Sequence, residues 1–404
     1  MNLDVSYHDQ EVGRLHQDDR GQVMFEYAAS WRSGSPSREL SPLYLPNSTT
    51  GAVATPTPAF GPLFGLFQDA LPDWWGEQMM RRLFDEKGIP WNKVTALQKL
   101  ACQGDRKIGA LAYRPVMDET IFADNLLVEL SALVDSARSA LKGEAGKVLS
   151  ELVRSGISPG GARPKSLLWL SKDGRDLQLE PTHGHDAWLI KFDLDPDLHE
   201  GRIEHAYMRM AAAAGIEVPE SRLIEAAGCH HFMARRFDRE PSGKPIHFHS
   251  FSGLTHTPVR DGIDYDDLMN LARELTDDHR SVEEVFRRAV FNVLAGNEDD
   301  HGRNHAFLMD SDGSWRLSPA FDLTLASNPL TSGYRAGRVM GKGTNVGLKD
   351  LIKLGQSHDV RRITEVIAEV QDAISQWSDF ANESRLPAGV TTMIRGQLEA
   401  MPLT

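Results

Sequence analysis

The sequence predicts an α+β chain, strand-rich through its first half and helical through its second. Three observations carry that expectation. Short runs that alternate apolar and polar residues recur through the first half, as in Val12-Gly13-Arg14-Leu15 and Val23–Tyr27. From Ser281 onward apolar residues fall at helical spacing, with Val285, Phe286, Ala289, Val290, Val293 and Leu294 on one stripe. With 404 residues the chain exceeds the common domain size, so several domains or one large two-lobed unit are expected.

The elements follow in order. Asp18–Gly21 supplies the turn between the first two runs, and Asn47–Pro58, rich in Thr, Ala and Pro, reads as a loop. Leu71-Pro72-Asp73 opens a helix carrying Met79, Met80, Leu83 and Phe84, which ends near Gly88. Asp124 is the expected cap of a helix bearing Leu126, Leu127, Leu130, Leu133 and Val134. Gly160–Arg163 is a small-residue loop before a strand at Ser166–Leu170, and Ala187–Phe192 is another strand. A helix is expected at Glu204–Ala214, stopping at Gly215, then strands at Ser221–Ala226 and His231–Arg236. Gly296 closes the apolar stripe. A hairpin follows, Ala306–Met309 and Trp315–Leu317 around Ser311-Asp312-Gly313, and from about His358 the tail reads as amphipathic helices.

Composition narrows the function. Hydrophobic residues at 41% and charged residues at 25% exclude a mostly disordered chain or a collagen. A formal net charge of -13 makes the chain a poor general binder of nucleic acid or anionic membrane. Cys102 and Cys229 stand alone, giving neither a zinc pattern nor a disulfide framework, and they fit a reducing cytosol. Acidic and polar residues interrupt the first segment, so no signal peptide is expected. The longest apolar run, Ala59–Phe67, contains Gly and Pro and is far short of a membrane span.

The densest polar cluster is Gly296–His305. A solvated loop explains its acids, but less well an Asn, a His and an Arg beside a glycine. Asp299 and Asn304 have the five-residue offset of the protein-kinase catalytic loop. Phosphoryl transfer needs a carboxylate to accept the attacking hydroxyl's proton and an oxygen ligand for magnesium. A further Asp should follow, and Asp322 comes after the hairpin that would bring it beside Asn304. Ser158–Lys165 supplies small residues that let backbone N–H groups approach phosphate, although Pro164 excludes a Walker A motif. Taken alone it is an ordinary Gly-Gly turn. Lys191 sits in an apolar strand, where an ammonium needs a partner, and Glu204 on the next helix is the candidate; an exposed edge lysine is the alternative.

With these pieces the sequence resembles the HipA family, bacterial Ser/Thr kinases that serve as toxins of toxin–antitoxin pairs. Ser158–Lys165, Leu189-Ile190-Lys191, Arg236-Phe237-Asp238, Asn297–Asn304 and Ser318–Asp322 carry the match. Val12–Leu15, Leu40–Pro46, Leu71-Pro72-Asp73 and Gly109-Ala110-Leu111 extend it through the N-terminal part. The resemblance implies a two-lobed, protein-kinase-like α+β fold with a strand-rich N-terminal lobe and an all-helical C-terminal lobe. It divides the chain into an N-terminal subdomain at 1–120, the rest of the N-lobe at 121–237 and the C-lobe at 238–404. It implies ATP and Mg2+ as cofactors, with Asp299 as catalytic base, His301 supporting the loop, and Asn304 and Asp322 holding the metal. Lys191 would contact the ATP phosphates with Glu204 steadying it. Ser158, Gly160, Gly161, Ala162, Arg163 and Lys165 would lie over the phosphates, and Arg235–Phe237 would be the hinge for adenine. Ser158 would be autophosphorylated. Arg303 stands where a lysine is common, and Asp300 is an extra acid. The implied partners are a protein substrate such as an aminoacyl-tRNA synthetase and a HipB-like helix-turn-helix antitoxin, with DNA reached only through that antitoxin. No membrane partner is implied, and the location is cytoplasmic.

Three other readings stay open. A small-molecule kinase shares the Asp-to-Asn spacing, and a silent co-repressor would need none of these side chains. Asp299, Asp300, His301 and His305 would together suit a metal hydrolase.

Overall fold

Alternation decides the first sheet. Strands β1 (Asn2–Tyr7), β2 (Gln10–Gln17) and β3 (Val23–Tyr27) bury every second residue, so Leu3, Val5, Leu15 and Phe25 share one covered face. With β4 (Ala52–Val53) and β5 (Leu111–Arg114) they form an antiparallel sheet in the order β4-β3-β2-β1-β5. The computed structural model describes residues 1–53, 60–103, 108–115, 129–144, 152, 163–326 and 334–401. The Asp124 cap lies outside them; the helix runs Leu130–Leu141.

A second antiparallel sheet has the order β7-β6-β8-β10-β9, made of β6 (Lys165–Ser171), β7 (Leu177–Gln178), β8 (His185–Lys191), β9 (Ser221–Ala226) and β10 (Cys229–Arg235). The helix Trp74–Glu86 packs Trp75, Met79, Met80 and Phe84 into the core of this sheet, against Leu168, Trp188 and Ile190. Asp73 caps that helix by accepting a hydrogen bond from Gly76 N at 2.7 Å.

The helix after β8 begins at Glu200, a turn earlier than the pattern suggests, and runs to Ala213. Gly201 weakens the sequence signal, yet the packing requires it: a Cβ there would lie 2.4 Å from His230 O on β10. Tyr207, Met210 and Ala211 of this helix join the large third core. That core is built around His279–Leu294 with Tyr265–Thr276, Leu348–Ser357, Ile363–Ser375, Trp377–Glu383 and Ala388–Glu399.

The C-terminal lobe is mostly helical but not all-helical. The hairpin β13 (Ala306–Met309) and β14 (Trp315–Leu317) pairs its free edge with β11 (His247–Ser250), and β12 (Ile263–Asp264) pairs in parallel with β15 (Gly337–Arg338). A lone hairpin leaves backbone groups unpaired on its outer edges, and β11 satisfies one of them.

A buried polar staple joins the first sheet's unit to the C-terminal lobe. Asp69 Oδ2 lies 2.7 Å from His249 Nδ1 and accepts from Ser250 N at 2.7 Å, while Ser250 Oγ donates to Oδ1 at 2.6 Å. His249 Nε2 lies 3.0 Å from Ser41 Oγ. This has the connectivity of a hydrolytic Ser-His-Asp triad, but Ser41 is 1% and His249 0% exposed, so no substrate reaches it. Burial pushes the Asp69 carboxyl up, and its bonds to His249 and Ser250 outweigh that and hold it below the usual value.

Other histidines, His231 and His247 buried and His256 half-buried, make the fold acid-sensitive. Burial pushes His231 down from 6.5 to about 4, His256 to about 4 and His247 to about 3. A depressed folded-state value means that the unfolded chain binds the extra protons once pH falls below its own pKa. The stabilisation is complete above about 6.5 and is lost toward the folded values, at up to about 1.4 kcal/mol per pH unit for each group. The thermal midpoint, followed by circular dichroism, should therefore fall steadily as pH drops from about 7 to about 5. A midpoint independent of pH across that window would show that these rings are not held neutral.

Candidate active site

The loop Gly296–Asn304 hangs from the end of the helix His279–Leu294 and is fixed by buried bonds. Asn297 Nδ2 donates to Asn292 Oδ1 at 3.1 Å, and Asn292 Nδ2 donates to Tyr265 OH at 2.8 Å. Tyr265 OH in turn donates to Asp300 Oδ2 at 2.7 Å. Asp300 also accepts from Arg335 Nη2 at 2.9 Å and from Gly337 N at 2.7 Å. Burial would raise the Asp300 carboxyl; Arg335 and Tyr265 more than offset this and hold it low. The extra acid of the sequence reading is thus the anchor of the loop.

With Asp300 turned inward, Asp299 and His301 line a cavity of about 760 Å³. Burial pushes the Asp299 carboxyl up; His301 pulls it down, Asp322 and Asp300 push it up, and it ends above the usual value. The loop also bonds to itself: His301 N and Asn304 Nδ2 both donate to Asp299 O, at 2.9 and 3.0 Å, and Asn304 N donates to His301 O at 2.8 Å. This uses the amide nitrogen of Asn304 and leaves Oδ1 as its acceptor.

Lys191 ends β8 and is buried. Its Nζ lies 2.5 Å from Glu204 Oε1 and also bonds to Asp322 Oδ1. Burial would lower the Lys191 pKa, but Asp322 and Glu204 outweigh it and raise it. Burial alone would raise the Asp322 carboxyl; Lys191 instead holds it well below the usual range. Asp322 adopts a left-handed backbone, φ 59°, which an aspartate tolerates better than most residues. Glu204 is shared, because Arg163 Nη1 donates to its Oε2 at 2.8 Å, and Arg163 Nε lies 3.2 Å from Glu200 Oε2. Lys165, the first residue of β6, places Nζ 2.5 Å from Asp73 Oδ2. Ser158, Gly160, Gly161 and Ala162 lie outside the described residues.

Next to the cavity is an apolar slot of about 100 Å³, lined by Leu167, Leu189, Met208, Phe232, Phe237 and Phe321. Lys191, Glu204, Arg303 and Asp322 border both spaces, and Asn304 borders the slot. Phe237 and Phe321 face each other with ring centroids 5.4 Å apart. The strand end beside them is partly committed: Arg235 N donates to Glu220 O at 2.8 Å and Arg236 N to Ala187 O at 2.9 Å. The Arg235 side chain donates to Asp186 Oδ1 at 2.7 Å, and Arg236 pairs with Asp238. Arg303 makes no hydrogen bond or ion pair among the described residues, and its guanidinium, which acts electrostatically on Asp73, borders both spaces.

The site therefore brings Lys165, Lys191, Glu204, Asp299, His301, Asn304 and Asp322 around connected spaces. The hydrolase alternative loses its ligands, because Asp300 and His305 are buried away from the cavity wall. Among the described residues, no group of three or more His, Cys, Asp or Glu is arranged to hold a metal.

Comparison with known proteins decides the family. Residues 157–377 match the HipA-like C-terminal domain, and residues 3–114 match the HipA N-terminal domain. The chain belongs to the HipA family. A kinase-family protein of Haemophilus influenzae is 23% identical over 269 residues, spanning 58% of this HipA-family chain and 77% of that protein. The serine/threonine-protein kinase toxin HipA of Shewanella oneidensis is 32% identical over 189 residues, covering 41% of this chain and 42% of that one. The solved HipA–HipB–operator DNA complex of Shewanella oneidensis MR-1 contains a chain that superposes with a TM-score of 0.72 at 17% identity. The match covers 99% of this chain and 96% of that one, and it shows the HipA-like, two-lobed α+β fold. Kinase is the description these relatives share.

Proposed function

We propose that this HipA-family protein is an ATP- and Mg2+-dependent protein serine/threonine kinase, the toxin of a bacterial toxin–antitoxin module. The observation that carries the reading is the buried Lys191 held between Glu204 and Asp322, at the junction of the apolar slot and the cavity that Asp299 lines. The slot suits an adenine ring between aliphatic and aromatic side chains. The N–H groups of Arg235 and Arg236 are already bonded, so on this reading Phe237 N offers the hinge donor.

Lys191, Lys165 and the loop 158–163 then meet the phosphates, and Arg303 is placed to meet the transferred one. Asn304 Oδ1 and the Asp322 carboxylate are hard oxygen donors, which fit magnesium. The metal, when bound, supplies positive charge along the phosphate oxygens. Asp299 accepts the proton of a substrate serine or threonine hydroxyl, whose oxygen attacks the γ-phosphorus. The bond from that phosphorus to the β,γ-bridging oxygen breaks, and ADP leaves. His301 keeps the loop backbone in place through its bonds to residues 299 and 304.

Ser158 is the proposed site of autophosphorylation. A phosphoserine adds about -1.5 to -2 charges, and these would repel both ATP and the Asp299 and Asp322 carboxylates. A cellular protein, for instance an aminoacyl-tRNA synthetase, is the proposed target. A HipB-like antitoxin is the proposed partner, through which the chain reaches DNA in the cytoplasm. No described helix is long and apolar enough to cross a membrane.

Incubating the protein with ATP, Mg2+ and bacterial extract tests the reading. It expects new phosphoprotein in the extract and, by mass spectrometry, phosphate on Ser158 of the wild type but not of Asp299→Asn. Phosphate appearing only on a small molecule would favour the small-molecule kinase, and none anywhere the co-repressor.

A further inference from the structure

The first residue of β6 is gripped at both ends by the start of the helix Trp74–Glu86. Asp73 Oδ2 lies 2.5 Å from Lys165 Nζ, and Trp75 Nε1 donates to Lys165 O at 3.0 Å. Lys165 is 1% exposed, and Trp75 is fully buried. Asp73 is itself rigid, because its other oxygen caps the helix through Gly76 N. Asp73 and its neighbour Trp74 both line the cavity that holds Asp299 and Lys191. Residues about ninety positions apart in sequence thus meet at a wall of the candidate phosphate site. A structural ion pair would account for the contact alone. It would not account for its place on the cavity wall, on the strand residue paired with Lys191.

We infer that Asp73 is a positioning residue: it holds the Lys165 ammonium, charged and aimed, at the nucleotide phosphates, so that the helix Trp74–Glu86 is part of the nucleotide-binding machinery. The inference rests on the phosphate-binding reading of Lys165. Among the described residues, the charged groups acting most on Lys165 are Asp73 from the helix cap, Lys191 from the adjacent strand and Asp322 from the segment after β14. Burial lowers the Lys165 pKa, and Asp73 is the largest influence opposing it; burial prevails and leaves Lys165 below its usual value, as it leaves the Asp73 carboxyl above its own. Removing the Asp73 charge takes away the largest influence opposing burial, so the ammonium deprotonates at still lower pH.

Asp73→Asn separates this role from helix capping, because Asn caps a helix as well as Asp. Calorimetric affinities for ATP and for adenosine should be compared in wild type, Asp73→Asn, Asp73→Glu and Lys165→Ala. In Asp73→Asn, ATP affinity should fall by about tenfold with adenosine affinity unchanged. The ATP loss, taken relative to the wild type at the same pH, should deepen as pH rises from about 7 to about 9. Asp73→Glu, which restores the charge, should recover part of the loss. Equal losses for ATP and adenosine in Asp73→Asn, or a loss independent of pH, would make Asp73 merely structural and overturn the inference. Full ATP affinity in Asp73→Asn with weakened affinity in Lys165→Ala would overturn the inference alone. Full ATP affinity in Lys165→Ala would overturn the reading of Lys165 and the inference with it.

Discussion

Replacing Asp299 by Asn should leave a folded, nucleotide-binding protein that transfers phosphate about 10²–10⁴-fold more slowly. The substitution keeps size and shape and removes only the proton acceptor. The loop should survive it, because the loop is anchored by the neighbouring Asp300 and by backbone bonds to Asp299 O, which Asn retains. The two acids therefore separate cleanly. Asp300→Asn leaves Arg335 charged and buried without its partner, a loss on the order of 3–5 kcal/mol in stability. Thermal unfolding and phosphate transfer measured on both variants should give opposite patterns: a normal midpoint with lost transfer for Asp299→Asn, and a lowered midpoint for Asp300→Asn. A catalytically normal Asp299→Asn protein would remove Asp299 from the chemistry.

The second large effect is expected at Asp322. Its carboxylate now bonds to Lys191, so it is both a proposed metal ligand and a neighbour of the proposed phosphate-binding lysine. Asp322→Ala should weaken Mg2+-ATP binding by about 10- to 100-fold, and metal-free ATP binding much less. Lys191 keeps Glu204 as a partner at 2.5 Å, so the variant is not left with an isolated buried ammonium and should fold. Calorimetry with and without magnesium distinguishes the outcomes. Equal losses in both titrations would mean that Asp322 supports the site but does not bind metal.

What was legible in the sequence was local. The hairpin at 306–317 declared itself by a turn between two apolar runs, and the helix Trp74–Glu86 by its spacing after Leu71-Pro72-Asp73. The Lys191–Glu204 contact was within reach because the two residues lie 13 positions apart, one at a strand end and the other in the first turns of the next helix. The remainder of the site depends on how distant pieces meet. Asp73 reaches Lys165 across 92 positions, and Asp69 reaches His249 across 180. No periodicity links one sheet to a helix start packed beneath it, so Asp73 could be read as opening a helix but not as a wall of the cavity. Asp300 was left as an extra acid for a related reason. Beside Asp299 it looks like a second functional acid, and only burial against Tyr265 and Arg335 shows that it points the other way. The other strands of the C-terminal lobe were hidden: β12 and β15 have two residues each, and β11, with four, lacks the turn and partner run that revealed the hairpin.

The central claim is that this cleft moves the γ-phosphate of ATP to a protein hydroxyl with Asp299 as base. The most direct test supplies the purified protein and bacterial extract with ATP labelled either at the γ- or at the α-phosphate, and measures acid-stable label on protein. The account predicts incorporation from the γ position alone, and none from either position with Asp299→Asn. Label arriving from the α-phosphate, or undiminished γ-transfer by Asp299→Asn, would contradict it.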